Sequence, residues 1–261
     1  MPKGMSLHIG LSMVSEKHYG FLQKLPGARR DAEDMQAIAK KNKFTSSLLI
    51  NEEATRAAVI TQIADVAKKL KPGDSFMISY SGHGGQFIIK NYKDVSENDG
   101  KDETWCLYDE QLIDDELYKL WTEFKKDVRI VVISDSCHSG TITRGMQINK
   151  TIQQTLENKI LRDNIEKYSE RKKNAATGKP LKAQVLLLSA CIDQEEALDL
   201  GFNGAFTTAL KHSLANETVN NYTDLLTKVR QNIKENKFSQ TPSIQLLGNN
   251  PGIFLNTPFI I

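Results

Sequence analysis

Cysteine is scarce in this chain, as are long apolar runs and any excess of one charge. The 261 residues include 3 cysteines, an odd number. Because they also lack the paired spacing of metal ligands, they argue against both a disulfide framework and a zinc site. We interpret two of them, Cys106 and Cys191, as buried residues without a chemical role.

No apolar run is longer than a strand, and the first residues lack the extended apolar core of a signal peptide. We therefore expect a cytoplasmic protein without a membrane partner. The 34 basic and 32 acidic residues give a formal net charge of +2, which indicates no nucleic-acid partner. Length and a hydrophobic content of 39% favour one domain over residues 1–261. The oligomeric state stays open.

The order of secondary structure indicates an α/β protein. Helical periodicity follows Asn51, a candidate N-cap, and also follows Asp114. Two short apolar segments, 87–89 and 105–108, predict a small side hairpin. Apolar runs of strand length predict strands near residues 6–14, 46–50, 75–80, 128–133, 184–189 and 243–247.

Two of these strands end in a reactive residue among glycines. The run 75–80 leads to His83, and the run 128–133 leads to Cys137. Neighbouring parallel strands place their functional residues just beyond their carboxyl ends. We therefore expect His83 and Cys137 to meet at one edge of the sheet.

A thiol beside an imidazole is the pair that nucleophilic cysteine catalysis needs, since the base removes the thiol proton at neutral pH. We interpret Cys137 as the nucleophile and His83 as the base, with the amides of Gly84 and Cys137 as oxyanion donors. His138 is nearer in sequence, but adjacent residues leaving a strand point apart. This chemistry requires no cofactor.

Residues 80–86 and 135–141 resemble the histidine and cysteine motifs of metacaspases and of their prokaryotic relatives, the orthocaspases. These are caspase-like cysteine peptidases. The resemblance implies a caspase-hemoglobinase-like three-layer α/β/α sandwich with a mostly parallel central sheet. It also implies peptide-bond hydrolysis through an acyl-enzyme. Further segments resemble the same family: 25–32, 99–103, 113–117, 188–191 and 204–207.

The resemblance divides the domain into a large-subunit-like region at about 1–144 and a small-subunit-like region at 184–261. Between them, residues 145–183 are polar, and composition predicts an exposed linker in the second half. Exposed linkers are the usual sites of nicking. Self-cleavage, if it occurs, is therefore expected after Arg171, Lys172, Lys173 or Lys179.

The resemblance also implies a substrate pocket at Asp31, Ser81 and Asp135. Acidic residues there would select protein or peptide substrates with Arg or Lys before the cut, because a buried cation needs a charged partner. Two other interpretations stay open. Asp31 could cap a helix, and Asp135 could organise the turn before Cys137.

A calcium site that acts as an activator is a further implication of the resemblance. The matching carboxylates are Asp99, Asp102, Asp114 and Asp115, and hard oxygen ligands suit that ion. Arg144 opposes a cation, since it stands where calcium-dependent relatives supply an aspartate. In the alternative interpretation, Asp114 and Asp115 cap the helix that follows.

Two other functions remain as alternatives. A caspase proper would cut after aspartate and use Arg29 and Arg30 for a positive pocket. An inactive caspase-like interaction module would usually lack a catalytic residue, whereas this chain has both His83 and Cys137.

Overall fold

A computed structural model describes residues 1–20, 24–88, 101–136, 164, 166–175, 178–192, 197–247, 252 and 257–261. In this part of the chain nine strands form two sheets. The strands are β1 (Gly4–Gly10), β2 (Thr45–Ile50), β3 (Ser75–Ser81), β4 (Gly84–Ile88), β5 (Lys101–Cys106), β6 (Gln111–Ile113), β7 (Arg129–Asp135), β8 (Gln184–Ser189) and β9 (Ser243–Leu247).

The large sheet has the order β2-β1-β3-β7-β8-β9. Neighbouring strands in it are parallel, except that β9 runs antiparallel to β8. The prediction of a mostly parallel central sheet is confirmed. Seven helices lie within the described residues: α1 (Glu16–Tyr19), α2 (Pro26–Lys41), α3 (Arg56–Lys69), α4 (Asp114–Thr122), α5 (166–175), α6 (Ala205–Asn216) and α7 (Tyr222–Glu235).

Alternating side chains of the central strands build a separate apolar core on each face of the sheet. In β7, Ile130 and Val132 pack in the core that includes residues of α3 and α4. Val131 and Ile133 pack on the opposite face, in the core that includes residues of α2, α6 and α7. Successive residues of a strand point to opposite faces, so apolar residues at all four positions suit a sheet covered on both sides.

The small sheet is antiparallel in the order β4-β5-β6. It contains the predicted side hairpin together with a third strand, and it begins directly after His83. The bounds of other elements differ from the prediction. Strand β1 ends at Gly10, and the N-cap of α3 is Thr55, whose Oγ1 accepts from the Ala58 amide at 3.2 Å. Asn51 instead lies in a short 3₁₀ turn.

No helix within these described ranges combines the length and apolarity needed to cross a lipid bilayer.

Candidate active site

The two predicted catalytic residues follow strands that lie side by side. The parallel register of β3 and β7 aligns Ser81 with Asp135, and the Gly82 amide donates to the Asp135 carbonyl at 3.4 Å. His83 comes two residues after Ser81, and Cys137 two residues after Asp135. Cys137 itself lies outside the described residues, as does its amide.

Backbone hydrogen bonds fix the segment that carries His83. The side chain is buried, at 3% exposure. The backbone carbonyl oxygen of His83 accepts from the Cys106 amide at 3.0 Å and from the Tyr80 hydroxyl at 2.6 Å. Gly84, the predicted oxyanion donor, begins β4 as the next residue. The position of His83 is therefore set by β3 on one side and by β5 on the other.

Asp31 lies inside the protein, on the buried stripe of α2 that also contains Gly27, Ala28 and Met35. Its spacing along that stripe follows the helical period, so that the helix turns the carboxylate toward the sheet. Helix α2 begins at Pro26. The interpretation of Asp31 as a helix cap is therefore wrong.

Three residues donate hydrogen bonds to the Asp31 carboxylate. The Ser81 hydroxyl donates to Oδ2 at 2.8 Å, and Asn203 Nδ2 donates to Oδ1 at 2.8 Å. The Gly204 amide approaches both oxygens, at 2.9 and 3.1 Å. Asp31 is thus held at the junction of α2, β3 and the segment that leads into α6.

Asp135 meets the other side of the same segment. Its Oδ2 accepts from the Thr207 amide at 3.1 Å and from the Thr207 hydroxyl at 2.7 Å. Gly204 lies between the two carboxylates: a Cβ there would stand 2.3 Å from Asp135 Oδ2. Glycine at this position permits the close approach. Asp31, Ser81 and Asp135 therefore form one cluster with Gly204 and Thr207, which we call the acidic pocket.

Both carboxylates of the acidic pocket resist ionisation. Burial raises the pKa of Asp31, and the hydrogen bonds from Asn203, Ser81 and Gly204 offset only part of this effect. Burial also raises the pKa of Asp135, and the nearby charge of Asp31 raises it further. Two buried like charges without a cation disfavour each other's ionised form. A cation beside them would instead favour the ionised form.

The partners of the two carboxylates include residues to which the sequence analysis gave no role. Gly204 and Thr207 belong to a segment that resembles the family, but their contact with Asp31 and Asp135 depends on tertiary structure. Asn203, the residue directly before this segment, also donates to Asp34 at 2.9 Å. Asp34 in turn accepts from Lys211 at 2.5 Å. In the sequence, only the resemblance of residues 204–207 to the family pointed to this part of the acidic pocket.

The described carboxylates of the calcium prediction are engaged in other contacts. Asp114 Oδ1 accepts from the Asp115 amide at 2.8 Å at the start of α4. Asp115 Oδ2 lies 3.6 Å from the ammonium group of Lys172. Asp99 and the side chain of Asp102 lie outside the described residues, within which no cluster of three acidic, histidine or cysteine side chains could hold a metal. Asp114 and Asp115 thus take part in contacts within the fold, and calcium activation stays a prediction.

The predicted linker is more ordered and more buried than its composition suggests. Residues 166–175 form α5, and Tyr168 and Lys172 are buried. Arg171 pairs with Glu110 and stacks over the Tyr168 ring, 5.4 Å from its centroid. The prediction of an exposed linker is wrong for Arg171 and Lys172. It holds for Lys173 and Lys179, which are exposed, and self-cleavage stays a prediction.

Comparison with known proteins agrees with this geometry. The sequence profile of the caspase domain matches residues 12–249. Metacaspase-3 of Trypanosoma brucei brucei is 26% identical, over 92% of this chain and 70% of that protein. Metacaspase-1 of Saccharomyces cerevisiae is 28% identical, over 79% of this chain and 56% of that protein.

Two crystal structures resemble the fold. A protein from Geobacter sulfurreducens is 38% identical, with a TM-score of 0.83 over 100% of this chain and 99% of the other. Caspase-1 from Spodoptera frugiperda is 12% identical, with a TM-score of 0.60 over 94% of this chain and 86% of the other. The central sheet and the profile match lead to one conclusion: the chain belongs to the caspase domain family and is a caspase-like cysteine peptidase related to metacaspases.

Proposed function

We propose that this protein is an endopeptidase that cleaves after Arg or Lys, with Cys137 as nucleophile and His83 as base. The observation that carries the proposal is the acidic pocket beside the ends of β3 and β7. The same two strands lead into His83 and Cys137. A basic side chain in the pocket would thus lie next to the residues that attack the following peptide bond.

The proposed reaction has two halves. His83 takes the proton from the Cys137 thiol, and the thiolate attacks the carbonyl carbon after the basic residue. His83 then gives the proton to the leaving amine as the C–N bond breaks, which leaves a thioester on Cys137. In the second half, His83 takes a proton from a water that attacks the thioester, the C–S bond breaks to release a carboxylic acid, and His83 returns the proton to the Cys137 thiolate. The amides of Gly84 and Cys137 would stabilise the oxyanion of both steps.

The electrostatics of the acidic pocket support basic specificity. No cation within the described residues pairs with Asp31 or Asp135, and the nearby Lys211 pairs with Asp34 instead. An incoming guanidinium or ammonium group would supply the missing charge and make charge-assisted hydrogen bonds. The expected partners are therefore proteins or peptides with Arg or Lys before the cut.

The arginines that a pocket for aspartate would need lie elsewhere. Arg29 and Arg30 are exposed on α2, and Arg29 pairs with Glu33 at 2.8 Å. Asp31 is the neighbouring residue that faces inward. Nothing in the described residues favours the alternative of a caspase that cuts after aspartate.

The test is a peptide panel that differs only in the residue before the cut. Arg and Lys peptides should be hydrolysed, whereas Asp peptides should not. Cys137→Ala and His83→Ala should each lower kcat by several orders of magnitude with the fold intact, because the two groups act as a unit. Cleavage after Asp alone would reject the pocket assignment. Activity retained in His83→Ala but lost in His138→Ala would reject the assignment of the base.

A further inference from the structure

The side chain of Trp105 in β5 contacts both of the neighbouring strands that lead to the proposed catalytic residues. Its ring stacks on Tyr80 of β3, with centroids 4.6 Å apart and planes at 8°. Its indole Nε1 donates to the hydroxyl of Ser134 in β7 at 3.1 Å. Trp105 and Ser134 are both buried, at 5% and 1% exposure. One side chain therefore contacts both strands at their carboxyl ends.

On the β3 side, the contact leads to His83. The Tyr80 ring is clamped by Trp105, and its hydroxyl donates to the His83 carbonyl. Burial raises the pKa of Tyr80 well above its ordinary value of 10, so the hydroxyl stays protonated and remains a donor. The Cys106 amide, next to Trp105 in the chain, donates to the same carbonyl. Strand β5 thus holds the His83 carbonyl directly through Cys106 and indirectly through Tyr80, on which Trp105 stacks.

On the β7 side, the contact leads toward Cys137. The hydroxyls of Ser134 and Ser136 lie 2.9 Å apart and form a hydrogen bond. Ser136 is 1% exposed and immediately precedes Cys137 in the sequence. The indole N–H occupies one acceptor position of Ser134, and this restricts how the two hydroxyls can be arranged.

We propose that Trp105 is a positioning residue that fixes the segment of His83 relative to the segment of Cys137, and that Ser134 transmits its contact to Ser136. The proposal rests on the proposed Cys–His pair. The ladder of β3 and β7 ends at Ser81 and Asp135, and the segments beyond it, which carry His83 and Cys137, could shift against each other. A buried aromatic bridge with a hydrogen bond on one side and a stacked ring on the other opposes such a shift. Misplacement by about 1 Å is enough to slow catalysis about 100-fold.

The chain offers a matched control for a structural effect of tryptophan. Trp121 of α4 is also buried, at 2% exposure, and packs against Phe76 and Phe124 in the core. Trp121→Phe and Trp105→Phe remove the same atoms from a buried site. Only Trp105→Phe removes the N–H that reaches Ser134.

The experiment compares steady-state kinetics of these variants on an Arg peptide, together with the pH profile of Cys137 alkylation by iodoacetamide. We expect Trp105→Phe and Ser134→Ala to lower kcat about 10- to 100-fold with KM within about twofold. Both should shift the pH profile of alkylation. Ser134→Thr keeps a hydroxyl and should retain more activity than Ser134→Ala. Trp121→Phe should leave kcat and the profile unchanged.

Three outcomes would overturn the proposal. They are a kcat within twofold of wild type in folded Trp105→Phe, an equal loss of kcat in Trp121→Phe, or an unchanged alkylation profile. If Trp105→Phe fails to fold, Ser134→Ala against Ser134→Thr decides, because equal rates in these two reject the proposal. Cys137→Ala is measured beside them. Full loss there with an unchanged Trp105→Phe rejects only the positioning role, whereas retained hydrolysis in Cys137→Ala rejects the proposed function.

Discussion

Two clusters of carboxylates in this protein differ in whether a cation of the fold pairs with them. Around α5, Glu110 pairs with Lys167 and Arg171, and Asp115 faces Lys172; we call this the docking cluster. Burial favours a raised pKa for Glu110, but the two hydrogen-bonded cations more than offset it, so that its pKa is lowered. Each carboxylate of the docking cluster thus faces at least one cation of the same chain.

In the acidic pocket the balance is reversed. Asp31 and Asp135 receive hydrogen bonds only from neutral donors among the described residues, and the pKa of each is raised. Carboxylates paired within the fold hold one segment of the chain against another. Carboxylates without an internal cation favour a cation from outside. Acidic residues that pair within the fold thus differ from Asp31 and Asp135, which we propose bind the substrate.

The largest effect is expected when one carboxylate of the acidic pocket is removed. Asp135→Asn should lower kcat/KM for an Arg peptide about 100- to 1,000-fold, because a buried cation then loses a charged partner. The control is Asp34→Asn, since Asp34 already pairs with Lys211, and it should change kcat/KM by less than about threefold. Alkylation of Cys137 should persist in both. Equal losses in the two variants would remove the distinction between paired and unpaired acids.

The raised pKa values of the acidic pocket also predict how activity depends on pH. The pKa of Asp31 is raised to about 6 and that of Asp135 to about 8, so these groups ionise as the pH rises through that window. A basic substrate binds the ionised form and releases protons as it binds. For an Arg peptide, kcat/KM divided by the alkylation rate of Cys137 should therefore rise about tenfold from pH 6 to pH 8. Asp135→Asn should flatten this ratio, and a ratio that falls with pH would contradict the assignment.

The smallest effect is expected in the docking cluster. Lys172→Met keeps the buried volume but removes the cation that faces Asp115, and it should lower the free energy of unfolding by about 1 kcal/mol. Lys173→Met, one residue further along and exposed, is the matched control and should change it by less than 0.5 kcal/mol, as is usual at the surface. Urea denaturation measures both. If folded Lys172→Met also loses kcat/KM, the docking cluster contributes to the active site as well.

The apolar runs predicted the strands, and the strands that lead to His83 and Cys137 lie side by side as expected; the approach of His83 to Cys137 stays a prediction. The rule that parallel strands end at one edge of a sheet needs only the apolar runs and their order. That rule does not predict which residues donate hydrogen bonds to Asp31, since Asn203 lies 172 residues further along the chain. The indole bond from Trp105 to Ser134 was likewise missed, because it depends on how the small sheet sits against the large one.

Helix α5 shows where composition misleads. Its polar and basic residues match those of a solvated linker, and average polarity contains no information about a specific partner. Lys172 is buried because Asp115 faces it, and Tyr168 is buried with its hydroxyl 3.0 Å from His18 Nε2. The basic residues of α5 form the docking cluster only because the fold brings carboxylates next to them.

The pairing of β3 with β7 has a consequence for how this site can vary. This pairing aligns Ser81 with Asp135 in the acidic pocket. The proposed base His83 and the proposed nucleophile Cys137 each follow two residues later in the sequence. A slip of one residue would turn every side chain of a strand to the other face of the sheet. Substrate recognition and bond cleavage would then fail together. An insertion within either strand is therefore expected to disturb both the acidic pocket and the proposed catalytic pair.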